Sequence, residues 1–363
     1  MITLVFTYRN RDISIVKKCF ESLQNQTNKA FEVTIVNYGS SIHFSTTLEL
    51  LVKQYSFIKL IDCPVQNQLW NKSRAINIVL KECQNPYFFV GDIDMIFRED
   101  FIEKLNQLKF EKQAVYFKVG YLNKEESIIE KKFEDYRINH FSTFEATGMT
   151  LYSTALLKEI NGYDEFYHGW GAEDTDVHYR LKNNNIEVKY FDQEVLMLHQ
   201  WHPKQYRDKK SKLPFHTKLE QINYSYIHFN NKQRITKANT TTNWGIIPNS
   251  QLYKVLENPM LEIEISNEMN DFDAFVLGGF QNFNDVLSVK VLPSINNTLK
   301  NRLKKILGKK HYSFYTFEEV NNKLLELIIT RYRNYPYNYS FDQVNKIIHL
   351  KIALQQNESF SKN

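Results

Sequence analysis

The feature that most constrains this chain is a regular alternation of short β-prone runs with helical spacing, from residue 2 to residue 94. Ile2 to Thr7 is an apolar run, and Ile13 to Gln24 then carries Ile15, Val16, Cys19, Phe20 and Leu23 along one helical face. Phe31 to Asn37 reads as a second strand closed by the Gly39-Ser40-Ser41 turn, Leu48 to Tyr55 as a second helix, and Phe57 to Ile61 as a third strand. Asn71 to Cys83 makes a third helix, and Tyr87 to Val90 a fourth strand running straight into Gly91-Asp92-Ile93-Asp94. Strands joined through helices lie parallel, and the crossover helices cover both faces of the sheet. The expectation is an α/β fold built on a mostly parallel sheet.

In such open sheets ligands bind beyond the carboxyl ends of the strands. The polar residues of this chain gather at those ends: Thr7-Tyr8-Arg9-Asn10-Arg11 after the first strand, Asn37 after the second, Asp62 after the third and Asp92-Ile93-Asp94 after the fourth. Along an extended backbone, residues two apart point to the same side, so Asp92 and Asp94 are expected to face one site. Two carboxylates there repel unless a cation is present, and a hard divalent ion, Mn²⁺ or Mg²⁺, bridging a diphosphate would satisfy both partners.

A second signal is Tyr167-His168-Gly169-Trp170-Gly171-Ala172-Glu173-Asp174-Thr175-Asp176, leading into a helix-like Val177 to Leu181. Gly169 and Gly171 allow a bent backbone close to a ligand, and the Trp170 indole offers a flat face to a sugar ring. Glu173 and Asp174 fall in the first helical turn, where the helix dipole favours ionised carboxylates. That placement suits helix capping, and it suits a general base, which must be ionised to take a proton.

Composition narrows the classes. Hydrophobic residues at 42% and charged residues at 24% describe a soluble globular protein. A formal charge of +5, from 46 basic and 41 acidic residues, gives no argument for nucleic acid. Cys19, Cys63 and Cys83 form neither a CxxC pair nor a zinc set, which points to a reducing compartment. The N-terminus enters a strand at once without a secretory pattern, and no stretch reaches 18 apolar residues, so a cytoplasmic setting is expected.

Five segments together resemble the β-1,4-galactosyltransferase group and its bacterial relatives, glycosyltransferases of the GT-A type, with a family 2-like N-terminal half. They are Phe6 to Arg11, Trp70-Asn71-Lys72-Ser73-Arg74-Ala75-Ile76-Asn77, Phe89 to Asp94, Asn161-Gly162-Tyr163 and Gly169 to Asp176, in the family's order over residues 2 to 205. The resemblance implies the Rossmann-like GT-A fold, a UDP-sugar donor and an inverting transfer of a hexose or N-acetylhexosamine to a glycan or lipid-linked hydroxyl. It implies that Asp94 binds the metal, that Asp92 lies near the donor ribose and phosphates, and that Asp174 is the base. Trp170, Gly171 and Glu173 would then position acceptor and donor sugar, and Arg9, Arg11 and Lys72 would contact the nucleotide alongside Thr7 and Asn37. The family's late metal-binding His falls in Val195 to Pro203, where either His199 or His202 is the ligand, His202 being the closer match in register. Glu145-Ala146-Thr147-Gly148 departs from the family's aromatic and Phe-Gly-Gly at that point.

Residues 1–205 are thus expected to form the catalytic domain, and residues 206–363 a mainly helical C-terminal extension. Within the latter, Asn297 to His311 is basic, with Leu299, Leu303 and Ile306 at helical spacing. It suits peripheral association with an anionic membrane surface, or equally a helix docked on its own protein. Phe317 to Tyr332 reads as an amphipathic helix. Two rival classes fit less well. A sugar-nucleotide pyrophosphorylase needs a Gly-rich loop after the first strand, where Tyr8 to Arg11 has no glycine, and a non-catalytic carbohydrate-binding module has no use for Asp92, Asp94 and Asp174 together.

Overall fold

A computed structural model describes residues 1–203, 216–280 and 283–354. The chain forms two compact units: Met1–Cys63 with Trp70–Lys204 and Asn223–Ile247, and Pro64–Leu69 with Gln205–Ile222 and Pro248–Asn363. The expected division at residue 205 falls outside the described residues.

The first unit runs β1 (Ile2–Tyr8), α1 (Ile13–Gln24), β2 (Phe31–Tyr38), α2 (Ile42–Val52), β3 (Ile58–Cys63), α3 (Lys72–Glu82) and β4 (Tyr87–Asp92). It continues through β5 (Met95–Phe97), α4 (Phe101–Gln107), β6 (Gln113–Phe117), β7 (Gly120–Tyr121), α5 (Lys124–Ile128), β8 (His140–Phe141), β9 (Thr150–Ser153) and α6 (Thr154–Glu159). Its last elements are α7 (Glu173–Asn183), β10 (Glu187–Phe191), β11 (Met197–His199) and the residues of α8 (His216–Lys232) from Asn223 onward. Seven strands make the main sheet in the order β10-β6-β9-β4-β1-β2-β3, with β9 antiparallel to β4 and β6 and the other pairs parallel. This is the expected α/β architecture, a mostly parallel sheet with helices between its strands. The chain leaves β1 toward β2 and β3, then returns to its other side at β4, so the crevice at the carboxyl ends of β1 and β4 is the topological switch point.

Every residue of β1 is buried, as a strand covered on both faces must be. Val16, Cys19, Phe20 and Leu23 of α1 and Leu48, Leu51 and Val52 of α2 pack with Phe101, Ile102 and Leu105 of α4 in the same core cluster. Phe6, Phe89, Phe97, Phe101 and Phe117 fill its centre with tilted and edge-on ring pairs at 4.7–6.4 Å. All three cysteines are buried and unpaired.

Two local expectations are revised. The second helix begins at Ile42 rather than Leu48, and its first two turns, Ile42 to Thr47, contain no fully buried residue, so the apolar pattern starts only at Leu48. Strand β4 ends at Asp92, and Ile93-Asp94 form a turn into β5, so the backbone is not extended through the Asp-x-Asp triplet.

The second unit holds α9 (Ser250–Lys254), β12 (Leu261–Ser266), α10 (Met269–Ala274), β13 (Val286–Leu292), α11 (Leu299–Ile306), α12 (Phe317–Leu327), β14 (Tyr337–Asp342) and β15 (Ile347–Ala353). The basic stretch is α11, and α12 opens with a capping box between Thr316 and Glu319 and runs on as a π-helical turn to Tyr332. The strands, which the sequence reading did not place, form a mixed sheet in the order β12-β13-β15-β14.

Gly91 is matched to Phe6 across the β1–β4 ladder, and a Cβ there would stand 2.6 Å from the Phe6 ring and 2.8 Å from the Phe89 ring. Both rings are locked in the aromatic core, so Gly91→Ala is expected to lower unfolding free energy by about 1–3 kcal/mol, read from denaturant midpoints at unchanged slope.

Candidate active site

Three of the strand ends are joined by short side-chain bridges. Thr7 pairs in register with Asp92, and Asn37 with Asp62. The Asn37 amide donates to Asp62 Oδ1 at 2.5 Å and to Ser45 Oγ at 2.6 Å, while its Oδ1 is buried without a hydrogen-bond partner. Arg9 lies half-buried just past β1. Asn10, at φ 50°, ties this loop to the end of β2: its amide N–H donates to Ser40 Oγ, and its side-chain oxygen accepts from the Ser41 N–H at 2.9 Å.

Asp92 and Asp94 do not share one set of partners, because the turn at Ile93-Asp94 separates them. Asp94 is buried, with Arg11 Nη2 at 3.1 Å, His202 Nε2 at 3.2 Å and His199 Nε2 at 3.6 Å from its oxygens. The small sheet β5-β11-β7-β8 makes this possible. Strand β11 runs antiparallel to β5 with His199 opposite Met95, and the Gln200 N–H donates to the Asp94 carbonyl at 2.9 Å. Both histidines therefore reach the carboxylate. Tyr121 on β7 packs against the His199 ring at 4.8 Å. Among the described residues, Asp94, His199 and His202 offer ligand atoms within 4.8 Å of one another. Asp94 Oδ1 is buried without a hydrogen-bond partner, the mark of a position that a cation fits. Burial works to raise the Asp94 carboxyl, but His199, the His202 hydrogen bond and Arg11 outweigh it and hold the group well below the usual carboxylate range.

Asp92 turns instead to Lys72. That ammonium lies 3.2 Å from Asp92 Oδ1, 3.1 Å from Asp174 Oδ2 and 3.8 Å from Glu173 Oε1. Lys72 opens α3 behind the Asn71 cap, and Glu173 and Asp174 open α7. Burial pulls the Lys72 ammonium down, but Asp174, Asp92 and Glu173 overcome it and push it well above its ordinary value. Three carboxylates share one cation, and the excess falls on Asp174. The helix start was expected to keep Asp174 ionised; instead burial, against the opposing pull of Lys72 and with Glu173 and Asp92 adding repulsion, pushes it up to about 7. Its Oδ2 accepts from Lys72, while Oδ1 is buried without a partner.

The loop before α7 is bent through Gly169 (φ 75°), Gly171 (φ 96°) and Ala172 (φ 78°), and it leaves the Trp170 indole 42% exposed beside the carboxylates' helix. Asn223 on α8 holds it, its amide donating to the carbonyls of His168 at 2.9 Å, Gly171 at 3.0 Å and Trp170 at 3.4 Å. No motif signals this asparagine, because it lies past the last resembling segment. The Asn161-Gly162-Tyr163 turn is bonded to α3 through Asn77, whose amide reaches the Tyr163 carbonyl and whose oxygen accepts from the Tyr163 N–H, both at 2.8 Å. Asp176, the last acid of the motif, is not part of the cluster: it is buried in an ion pair with Arg180 at 2.7 Å and accepts from Tyr167. The divergent segment at Gly148 borders Asp174, where a Cβ would stand 3.6 Å from Oδ2.

Two family models match this unit. The model described as glycosyl transferase family 2 matches residues 3–160, and that described as the N-terminal domain of galactosyltransferase matches residues 128–202. The chain is 31% identical over 94 residues to teichoic acid poly(glycerol phosphate) polymerase of Staphylococcus epidermidis, covering 26% of this chain and 12% of that protein. It is 24% identical over 127 residues to human beta-1,4-galactosyltransferase 4, covering 34% of this chain and 32% of that one. The chain thus spans a third or less of the length of these relatives. S. aureus TarS 1–349 in complex with UDP-GlcNAc superposes with a TM-score of 0.45 at 15% identity, over 64% of this chain and 69% of that one.

If burial and the Lys72 cluster set the ionisation of Asp174, its carboxyl carbon is expected to titrate near pH 7 in ¹³C NMR. Removing a neighbouring negative charge by Asp92→Asn moves the midpoint down. Removing the cation by Lys72→Met moves it up. A midpoint that ignores both substitutions contradicts the assignment of causes.

Proposed function

We propose that this chain, whose residues 3–202 resemble the family 2 glycosyltransferases and the galactosyltransferase group, is a metal-dependent, inverting glycosyltransferase that moves a hexose or N-acetylhexosamine from a UDP-sugar to a glycan or lipid-linked hydroxyl. The observation that carries the reading is the meeting of Asp94, His199 and His202 at the switch point, with one carboxylate oxygen left unpartnered. One carboxylate and two imidazoles make a donor set that suits Mn²⁺ better than Mg²⁺, since imidazole is a borderline ligand and Mg²⁺ prefers oxygen. When bound, such an ion neutralises the charge that develops on a leaving diphosphate.

The chain's own residues would do the rest. Arg9 and Arg11, at the end of β1, add positive charge toward the donor phosphates, and Thr7, Asp92 and the free Asn37 oxygen line the nucleotide side. Trp170 offers its exposed face to a sugar ring, with Gly171 and Glu173 shaping the acceptor side. Lys72 holds Asp174 through Oδ2, leaving Oδ1 to take the acceptor's proton. As the hydroxyl oxygen bonds to the anomeric carbon, the bond from that carbon to the diphosphate breaks, the proton passes to Asp174, and UDP departs with the bonding pair. Residues 145–148, which border the base and depart from the galactosyltransferase pattern, are the natural place for donor or acceptor selectivity.

The test is a screen of UDP-galactose, UDP-N-acetylgalactosamine and UDP-glucose for Mn²⁺-dependent turnover, with product linkage read by NMR. Failure of all three to bind with Mn²⁺ present overturns the reading. Asp94→Ala is expected to abolish Mn²⁺-dependent donor binding in calorimetry. Asp174→Asn is expected to keep donor binding and lose transfer by about 10²–10⁴-fold. A base must be ionised, so kcat/KM is expected to fall about tenfold per pH unit below a bend near 7 and to level above it. That bend should be absent from the residual activity of Asp174→Asn.

A further inference from the structure

Helix α11 is built the wrong way round for a helix packed on its own protein. At 3.6 residues per turn, Leu299, Leu303, Ile306 and Leu307 share one face, and Asn301 lies opposite. The buried side is the polar one. Asn301 is the buried residue of the helix; its amide donates to the Tyr312 carbonyl at 2.9 Å, and its oxygen accepts from the Tyr312 N–H at 2.8 Å. The apolar side faces outward, with Leu299 76%, Leu303 59%, Ile306 80% and Leu307 66% exposed. Ile295, just before the helix, is exposed as well.

Charge decides what such a face fits. Lys300 and Lys304 border the apolar stripe on one side and Arg302 on the other, with Lys305, Lys309 and Lys310 beyond, and all six are exposed. No Asp or Glu occurs between Val286 and Phe317. A second copy docked face to face would bring these cations together. A surface that offers apolar depth under a negative skin accepts both features at once. We propose that α11 is a peripheral anchor that lays Leu299, Leu303, Ile306 and Leu307 into the headgroup layer of an anionic lipid bilayer, its lysines and arginine meeting the lipid phosphates. No helix among the described residues is long and apolar enough to cross a membrane, so the contact is one of lying on the surface. The proposal does not depend on the glycosyl-transfer reading, since α11 belongs to the second unit and carries none of the residues assigned to donor, metal or base.

The experiment is flotation of the full chain with vesicles of phosphatidylcholine alone and of phosphatidylcholine mixed with phosphatidylglycerol. The chain is expected to float with the mixed vesicles, to stay behind with the neutral ones, and to be released by salt. Leu303→Ser with Ile306→Ser should abolish flotation, and Lys304→Gln and Lys305→Gln should each weaken it about fivefold. These side chains are exposed, so the variants' thermal unfolding and their turnover of a soluble donor should match the parent's. Absence of flotation, equal binding to neutral vesicles, or variants that bind like the parent would overturn the proposal. So would sedimentation showing a dimer that Leu303→Ser with Ile306→Ser dissolves while anionic vesicles are ignored, which would make the face a contact between copies.

Discussion

The site depends on one buried ammonium. Lys72 sits at the start of α3, where the helix dipole disfavours a cation, and it is stable there because carboxylates from the end of β4 and the start of α7 surround it. The bridge fixes the relation of those elements. It also sets their ionisation, since a single positive charge cannot neutralise Asp92, Glu173 and Asp174 together and the shortfall appears as a raised Asp174. Breaking a buried ion pair from one side typically costs about 3–5 kcal/mol because the remaining charges stay buried. Here Glu173 and Asp174 would remain buried, while Asp92, with 38% of its side chain exposed, keeps contact with solvent.

The support under Lys72 is polar as well. Asn71 caps α3 and also reaches the Glu165 carbonyl; Arg74 and Asn77 bond Glu165; Asn77 bonds both sides of Tyr163. A helix face of this kind looks solvated in a sequence, yet it is buried with its hydrogen bonds satisfied internally. The two halves of the site are driven apart in ionisation by these surroundings. Asp94, met by imidazoles and a guanidinium, is held charged, while Asp174 is poised near neutrality. Opposed shifts of this kind let two carboxylates in one crevice take different tasks.

What was legible in the sequence follows from the range of the forces involved. Strands β1, β2 and β4 show as short, nearly continuous apolar runs because they are buried on both faces, and α1 shows because its burial repeats at helical spacing. The apolar runs in Val286–Leu292 and Ile347–Ala353 were similar but stood where no motif drew attention to them. The choice between His199 and His202 had no local solution. The pairing of β11 with β5, a contact between residues about a hundred positions apart, brings both rings to Asp94. Asn223 was invisible for the same reason, since its role is defined by carbonyls on a distant loop.

That loop shows how finely the approach to α7 is set. Ala172 occupies a left-handed conformation that costs a non-glycine residue about 1–2 kcal/mol, at the junction between Trp170 and the two acids that open α7. Opposing the strain are the hydrogen bonds from the Asn223 amide, each contributing about 1 kcal/mol net. Three such bonds from one amide total at most about 3 kcal/mol, enough to offset the strain but with little to spare. The position of the Trp170 face relative to Asp174 is therefore set by a side chain on α8, outside every motif by which the site is recognised. Substitutions of Asn223 can move Trp170 while leaving Asp94 and Lys72 untouched.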